Sequence, residues 1–340
     1  RNLEKHGVWN AEAEARIEPG WRGDLGAPRF GLSETAFEQL AGAVDAVYHA
    51  GAWVNFTYPY RVLEPINVEG TREALRLATL GGVRPFHFVS STAVFTPETY
   101  AEGPAREDDP LERTEGLFGG YGETKWVAEK TLAIARERGL PVAIYRPGVI
   151  AGHSRTGAGN TSDMVWSLLK GSIQLGLVVD AMPPLDVSPV DYVARAIVHL
   201  SLRDAAFEGA FQFANPRPIP WQEIIATMID MGWPLRRTGH AEWLRALAKV
   251  AREGGDNALV PFLPLFGELE AGDAAAADAP VFATTIRLHA SGARGQRYRL
   301  PAVRPGAAAG GISSIFAPAV FFRRRVERFS ARPMMPSAPP

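Results

Sequence analysis

The chain has 340 residues, 36 Lys and Arg against 37 Asp and Glu, and no cysteine. This length allows one large α/β domain or two smaller ones with a sizeable core, and the charge balance gives no reason to expect a nucleic-acid partner. Without cysteine there are no disulfides or thiolate nucleophiles, and the seven histidines show no metal-ligand spacing, so no metal site is predicted.

The first residues predict the end of an amphipathic helix and begin with Arg, so we expect that the chain was cut from a longer polypeptide. No basic start followed by an apolar stretch marks a signal peptide, and we expect a cytoplasmic protein. The predicted strands are 16–25, 44–52, 85–91, 141–146 and 211–214. The predicted helices are 33–41, 67–80, 121–138, 190–202, 221–231 and 240–253. This alternation is typical of a parallel sheet with helices on both faces.

From about residue 283 the composition changes, with ten Arg, no Lys and Glu327 as the only acid. We expect no regular structure in this tail. Its uncharged stretch 305–322 precedes three arginines and resembles a membrane span with a basic flank. The prolines and glycines in that stretch argue against a spanning helix, so we do not expect a membrane partner.

Tyr121 and Lys125 stand four residues apart in a predicted helix, just downstream of Ser90 and Ser91. Residues at i and i+4 share one helical face, so the ammonium is expected to lower the phenol's pKa. Successive residues of a strand face opposite sides, so only one of the two serines can join the pair, and we favour Ser91. A Tyr-x-x-x-Lys spacing alone arises by chance on surface helices; the ordered segments around it give it weight.

Several motifs surround this pair in a fixed order. They are Gly23-Asp24-Leu25, His49-Ala50-Gly51-Ala52, Asn67-Val68-Glu69-Gly70-Thr71, Ser90-Ser91-Thr92, Tyr121-Gly122-Glu123-Thr124-Lys125, Arg146-Pro147-Gly148 and Pro189-Val190-Asp191. Together they resemble the extended short-chain dehydrogenase/reductases. More narrowly, they resemble the thioester reductase domains of nonribosomal peptide and polyketide synthetases and the related carboxylic acid reductases. The resemblance covers about residues 1–270, and Asn55-Phe56 with Tyr58-Pro59-Tyr60 separates this branch from sugar epimerases.

The resemblance implies an α/β fold with a doubly wound Rossmann-type parallel sheet and a smaller C-terminal substrate domain. Residues 1–150 would bind the cofactor, with 186–215 returning to that domain, while 151–282 would bind substrate and 283–340 form the tail. The implied activity is NADPH-dependent reduction of an acyl or peptidyl thioester to an aldehyde, with a second reduction to the alcohol possible. The implied partner is an acyl or peptidyl carrier protein that holds the substrate on its phosphopantetheine arm.

The resemblance also assigns the site. Tyr121 would donate the proton, Ser91 would hold the oxyanion, and Lys125 would bond the nicotinamide ribose. The other implied cofactor contacts are Asp24, Ala50, Gly51, Ala52, Asn67, Ser90, Pro147 and Gly148. Asp191 is expected to tie the two lobes together and His49 to be structural. Trp53, Phe56, Tyr58 and Tyr60 would line an acyl or phosphopantetheine channel or belong to the core.

We expect the family's first two strands and the glycine turn that meets its pyrophosphate to lie upstream of residue 1, since Gly103, Gly116, Gly119, Gly120 and Gly122 come too late for that turn, after the strand at 85–91. The preference for NADPH therefore comes from the family alone. We expect the strand at 16–25 to have no neighbour, 44–48 to form an exposed apolar edge, and the isolated chain to fold poorly or bind NADPH weakly.

Two alternatives stay open. The first is an NAD(P)-dependent epimerase or ketoreductase that acts on a free small molecule. The second is a non-catalytic docking or scaffold fragment that keeps the fold without its nucleotide turn. Turnover with an acyl thioester distinguishes a thioester reductase from the epimerase or ketoreductase. Carrier binding without turnover would indicate the scaffold fragment.

Overall fold

The computed structural model describes Glu4 and residues 9–17, 21–96, 105–117, 119–161, 163–215, 218–267 and 320–322. Its strands are β1 Ala46–His49, β2 Phe86–Val89, β3 Val142–Pro147, β4 Val149–Ala151, β5 Leu177–Val179, β6 Val187–Pro189, β7 Ala210–Phe213, β8 Arg236–Thr238 and β9 Val320–Phe322. Its α-helices are α1 Ala11–Glu14, α2 Glu34–Ala43, α3 Tyr60–Glu64, α4 Gly70–Thr79, α5 Gly119–Glu137, α6 Met164–Leu175, α7 Val190–Ser201, α8 Trp221–Asp230, α9 His240–Arg252 and α10 Leu263–Gly267. The predicted α/β alternation is confirmed.

The central sheet has the strand order β7-β3-β2-β1-β9, in which β1, β2, β3 and β7 run parallel. The side chains of β3 alternate between two cores, as a strand covered on both faces requires. Val142 and Ile144 join the cluster formed with α2, α4 and α5, whereas Ala143 and Tyr145 join the cluster under α7. Helices thus cover both faces, and the doubly wound sheet is confirmed.

Local sequence explains where the helices begin and end. Ser33 caps α2 through a hydrogen bond from the Ala36 nitrogen, as its position before the apolar pattern predicts. Gly176 ends α6 in the left-handed region, with φ of 67°. The helix predicted over 67–80 begins earlier, because α3 continues through the π-helical turn Pro65–Glu69 into α4.

The predicted strand over 16–25 is wrong. Arg16 and Ile17 follow the short α1, residues 21–25 form no strand, and residues 18–20 lie outside the described residues. Instead the Asp24 Oδ1 atom accepts a hydrogen bond from the Gly26 nitrogen at 2.9 Å, which closes a turn of the Asx type. With no neighbouring strand to share backbone hydrogen bonds, the segment takes the locally bonded turn.

The prediction of an exposed edge at 44–48 is also wrong. The backbone of β9 pairs antiparallel with β1, with Val47 opposite Phe321, and Val47 is fully buried. The rest of the tail and most of the stretch 305–322 lie outside the described residues. Among the residues that the structure does describe, no helix is long and apolar enough to cross a membrane.

A further hydrophobic cluster is built entirely from residues 168–266. Trp221, Trp243 and Leu247 form its centre with at most 2% exposure, and the two-stranded sheet β5–β8 crosses it. This cluster shares no member with the clusters on either face of the central sheet. The second core lies within the region 151–282 to which the sequence assigns substrate binding; that assignment stays a prediction.

Candidate active site

Helix α5 brings Tyr121 to the C-terminal end of β2, where ligand sites of such sheets lie. Its first residue, Gly119, has φ of 59°, and a Cβ there would lie 2.9 Å from the Phe56 carbonyl oxygen. A Cβ on Gly120 would likewise come within 2.6 Å of backbone atoms of Tyr58, Pro59 and Tyr60 in that loop. Two glycines therefore let the helix start directly against the loop at 56–60, and Tyr121 follows at once.

Ser91 and Tyr121 are hydrogen-bonded through their side chains. Ser91 also caps the 3₁₀ helix Thr92–Val94, because its Oγ accepts a hydrogen bond from the Ala93 nitrogen at 3.1 Å. The Phe56 ring lies edge-on to the Tyr121 ring, with centroids 5.3 Å apart and planes at 76°. The cap fixes the serine and the aromatic contact fixes the phenol, so the two hydroxyls are held together.

Burial raises the pKa of Tyr121 to about 12, and the hydrogen bond to Ser91 opposes this shift. The prediction that Lys125 lowers this pKa is wrong, because desolvation of the phenolate outweighs the other contributions. A phenol with this pKa keeps its proton at neutral pH. It is therefore present as an acid.

Lys125 lies one turn further along α5 and is almost fully buried. Its Nζ donates to the Val89 carbonyl at 2.8 Å and lies 4.6 Å from the centre of the Phe88 ring. Burial lowers the Lys125 pKa to about 8, and the negative charge of Glu129 opposes that shift. The Val89 carbonyl uses one of the three N–H groups of the ammonium, which leaves donors for ribose hydroxyls.

Asn67 connects three parts of this site. Its Oδ1 accepts a hydrogen bond from the Trp53 nitrogen at 2.7 Å, and its Nδ2 donates to the Trp53 carbonyl at 3.1 Å. The same Nδ2 donates to Thr124 Oγ1 at 3.0 Å, and that hydroxyl donates to the Tyr121 carbonyl. Asn67 thus ties the loop after β1 to the turn that carries Tyr121, and its contact with the cofactor stays a prediction.

Ser90 and His49 are buried beside the same strand ends. The Ser90 nitrogen donates to the Tyr145 carbonyl at 2.6 Å, while its Oγ has no hydrogen-bond partner among the described residues. His49 Nε2 lies 3.0 Å from Thr71 Oγ1, and burial together with the charge of Lys125 lowers the His49 pKa to about 3. His49 is therefore neutral and held by a helix side chain, as expected of a structural residue.

Pro147 ends β3, and Gly148 follows it at the same edge of the sheet. The Gly148 nitrogen donates to the Phe213 carbonyl at 3.3 Å. A Cβ on Gly148 would lie 3.4 Å from Asp186 Oδ2, so the Asp186 side chain packs against that side of the backbone. Burial raises the pKa of Asp186, whose other oxygen accepts a hydrogen bond from the Asn215 nitrogen.

The structure does not bring all predicted cofactor residues to this cluster. Asp24 is exposed in its turn, and the adjoining residues Leu25 and Gly26 pack against Gly70 and Ile66. Ala50, Gly51 and Ala52 follow β1 in irregular backbone, with Gly51 buried and Ala50 exposed. These residues have no described contact with Ser91, Tyr121 or Lys125, and their role toward a nucleotide stays a prediction.

Asp191 binds the loop after β4, as expected. Its carboxylate accepts hydrogen bonds from the nitrogen and hydroxyl of Ser154 and from Arg195. These donors lower the pKa of Asp191 despite some desolvation.

The aromatic residues of the loop after β1 are not plain core, because Trp53 and Phe56 are half-buried and Tyr58 is exposed.

Sequence reasoning missed a buried ion pair. Arg146 Nη2 donates to Glu129 Oε2 at 2.7 Å, and both side chains are at most 5% exposed. It also missed Thr124, which is fully buried between Asn67 and the Tyr121 carbonyl. The spacing from Lys125 to Glu129 repeats the four-residue spacing from Tyr121 to Lys125, and this was the available signal for Glu129.

Ser91, Tyr121 and Lys125 lie together at the C-terminal edge of a doubly wound sheet. This arrangement places the chain in the class of NAD(P)H-dependent oxidoreductases. Residues 1–197 match the model of an NAD-binding family described as "Male sterility protein". The chain belongs to this family, within the branch of synthetase reductase domains that the sequence motifs predicted.

Relatives and solved structures agree with that assignment. The chain is 40% identical over 271 residues to one of the proteins of linear gramicidin synthase from Brevibacillus parabrevis, covering 79% of this chain and 5% of that protein. It is 36% identical over 273 residues to L-2-aminoadipate reductase from Saccharomyces cerevisiae, covering 76% of this chain and 20% of that protein. The terminal R domain from the myxalamid PKS-NRPS pathway matches with a TM-score of 0.71 at 44% identity, covering 78% of this chain and 66% of that one. The chain thus spans a fifth or less of these two curated relatives.

Proposed function

We propose that the chain forms part of a reductase that converts a carrier-bound acyl or peptidyl thioester to an aldehyde with NADPH. The hydrogen bond between Ser91 and Tyr121, with Lys125 one turn away, carries this proposal. The similar proteins include synthetase reductase domains and an aminoadipate reductase. The family resemblance of the sequence motifs supports the thioester as substrate class and a carrier protein with a phosphopantetheine arm as the partner.

The residues present fit the nicotinamide end of a cofactor. Lys125 keeps N–H donors beyond the one that Val89 uses, and the buried Ser90 Oγ has no hydrogen-bond partner among the described residues. Lys125 would hold the ribose, with Ser90 and Asn67 beside it. Glycines stand at the Gly-x-x-Gly-x-x-Gly spacing at Gly20, Gly23 and Gly26 and again at Gly116, Gly119 and Gly122, but neither set directly follows a described strand, so we expect this chain to supply only part of the cofactor site.

The chemistry that a bound nicotinamide supplies is hydride donation to the thioester carbonyl carbon. Ser91 and Tyr121 donate hydrogen bonds to the carbonyl oxygen as it gains negative charge, and such preorganised donors stabilise the transition state. Tyr121 gives its proton to that oxygen, which forms a hemithioacetal. The C–S bond then breaks as the hydroxyl proton passes to the departing thiolate, an aldehyde and the carrier thiol are released, and a solvent proton restores Tyr121.

We also propose that residues 151–282 hold the acyl group. Support comes from their separate core, in which Trp221 and Trp243 are almost fully buried. The half-buried ring of Phe56 against Tyr121 supports a channel wall on the cofactor side. Acyl contacts on this view come from both lobes, and the reacting carbonyl meets Ser91 and Tyr121 between them.

The first test is an NADPH titration, followed by nicotinamide fluorescence, of this chain beside a version extended upstream through the glycine turn. We expect only the extended form to bind tightly. Tight binding by the present chain would contradict the expectation that the missing turn matters. Binding by neither form would remove the support for a reductase and favour a scaffold fragment.

The second test is turnover of the extended form with an acyl thioester on a phosphopantetheine carrier. NADPH loss, free thiol and aldehyde should appear together, and Tyr121→Phe should lower the rate by roughly 100-fold or more. Tyr48→Phe is the matched control, because that phenol bonds Ser201 on the opposite face of the sheet. Oxidation of NADPH with a free ketone but not with the thioester would favour the ketoreductase alternative.

A further inference from the structure

Glu129 lies one helical turn beyond Lys125 on α5, and both residues are buried to 97%. Residues at i and i+4 share a helical face, so the stripe Tyr121, Lys125, Glu129 runs from the reacting hydroxyl into the protein. A buried ammonium is costly unless an anion compensates it. Glu129 stands where that compensation is needed.

Arg146 holds the Glu129 carboxylate in place. Its Nε lies 3.0 Å and 3.1 Å from the two carboxylate oxygens, and its Nη2 donates to Oε2 at 2.7 Å. This two-pronged geometry fixes both position and orientation. Arg146 stands on β3, whereas Glu129 shares helix α5 with Lys125, and it is the Glu129 charge that acts on the Lys125 pKa.

The pair also reaches the loop that precedes α5. Arg146 Nη1 donates to the Glu107 carbonyl at 3.3 Å, and its guanidinium carbon lies 5.0 Å from the centre of the Phe95 ring. The Glu107 carboxylate in turn accepts a hydrogen bond from the Gln212 nitrogen at 2.9 Å. One buried guanidinium therefore links the helix of the site to the loop and the sheet.

The groups that face Lys125 come from three elements besides the Arg146–Glu129 pair. They are Tyr121 on α5, the neutral His49 on β1, and the Phe88 ring with the Val89 carbonyl on β2. Among the residues that the structure describes, Glu129 is the carboxylate whose charge supports the Lys125 ammonium. The other neighbours supply a dipole and a ring face but no full negative charge.

We propose that Glu129, clamped by Arg146, is a positioning residue that supplies the counter-charge of the Lys125 ammonium and so keeps the lysine of the site protonated. Its meaning for the reaction rests on the proposed function. The charge coupling itself does not, because it is measured without cofactor or substrate. Failure of the coupling and failure of the reductase activity are therefore separate observations.

The test is an NMR titration of the lysine ¹³Cε resonances in the full chain, which has only five lysines. Glu129→Gln should lower the titration midpoint of Lys125 by roughly one pH unit. The matched control is Glu253→Gln, which removes the partner of Lys249 at the same spacing on an exposed helix surface. That variant should leave the Lys125 midpoint unchanged, because water screens the charge that it removes.

Removing one member of a buried ion pair is strongly destabilising, so a second variant keeps the test decisive. Glu129→Gln with Arg146→Gln removes both charges of the pair, so neither partner is left without the other. The Lys125 midpoint should still fall, by about half a pH unit, since Glu129 is the member of the pair whose charge raises the Lys125 pKa. A Lys125 midpoint that equals the wild-type value in this double variant overturns the proposal, whatever the single variant does.

Discussion

Gly120 lies against the backbone that leads into Tyr60, and a Cβ on Gly120 would come within 2.6 Å of the Tyr58 carbonyl oxygen and 2.5 Å of the Pro59 carbonyl carbon. Backbone atoms cannot rotate away as a flexible side chain can. The residue directly before Tyr121 must therefore lack a side chain for the helix to start where it does. Position 120 thus controls where the Tyr121 phenol lies.

We expect Gly120→Ala to destabilise the chain by about 1–3 kcal/mol, because the loop at 58–60 must shift to admit the methyl group. Urea unfolding followed by tryptophan fluorescence measures this. Gly42→Ala is the control, since a Cβ on Gly42 in α2 has no neighbour within 4 Å. That variant should be neutral or gain up to about 1 kcal/mol. Equal effects at the two positions would show that the close approach at Gly120 is unimportant.

Asn67→Ala should cost about 2 kcal/mol or more in unfolding free energy. The change leaves the Trp53 nitrogen and carbonyl and the Thr124 hydroxyl without the amide that they bond, and unsatisfied buried groups are costly. Thr131→Ala deletes a hydroxyl that bonds only the Val127 carbonyl of its own helix, and it should change stability little. A loss at Asn67 no greater than that at Thr131 would mean that water replaces the amide.

Gly171→Ala tests whether the second core is energetically separate. A Cβ there would lie 2.5 Å from Leu259 Cγ and 2.7 Å from Asn257 Oδ1, so residues of the 168–266 cluster must move. We expect the variant to lower the protection of α8 and α9 amides against hydrogen exchange, since these helices carry Trp221 and Trp243 of that cluster. Hydrogen exchange of β2 and β3 amides should stay within about twofold of wild type. Equal loss of protection in both regions would argue for one cooperative unit.

The sequence predicted the elements whose signals are local. Helix α2 has its cap at Ser33 and its apolar period, and the 121–138 pattern matches Gly119–Glu137 within two residues. The strand predicted at 16–25 failed because a strand exists only where a neighbour shares its hydrogen bonds. Periodicity does not reveal that neighbour. The Asx turn at Asp24 was the stronger local preference once pairing was absent.

The same distinction applies to the site. The four-residue spacing brought Tyr121 and Lys125 to one face, as predicted, and the end of β2 brought Ser91 to the phenol. The spacing did not reveal how deeply the site is buried. Burial raises the Tyr121 pKa, whereas the sequence predicted a decrease. Nor did it reveal the partner of Glu129, because Arg146 meets it through a helix–strand contact and not through a local pattern.

His87 makes stability depend on pH. It is stacked on Tyr48 with ring centroids 4.4 Å apart, its Nδ1 lies 3.1 Å from the Tyr145 hydroxyl, and burial lowers its pKa to about 4. The unfolded chain takes up this proton near pH 6.5, so the unfolded state binds more protons than the folded state between pH 6.5 and 4. His49 acts in the same direction, since its pKa falls to about 3.

We therefore expect full stability from these histidines above pH 6.5 and a progressive loss as the pH falls toward 4, of about 1.4 kcal/mol per pH unit for each histidine. Lys125 does not contribute in this window, because its folded pKa of about 8 confines its pH dependence to more alkaline conditions. The measurement is urea unfolding at pH 7.5, 6.5, 5.5 and 5.0, above most carboxylate titration. His87→Gln removes one of the two histidines that take up a proton when the chain unfolds. The slope of unfolding free energy with pH should therefore fall by about half relative to wild type. An unchanged slope would show that His87 is not neutral in the folded protein, whatever the variant does to stability at pH 7.5.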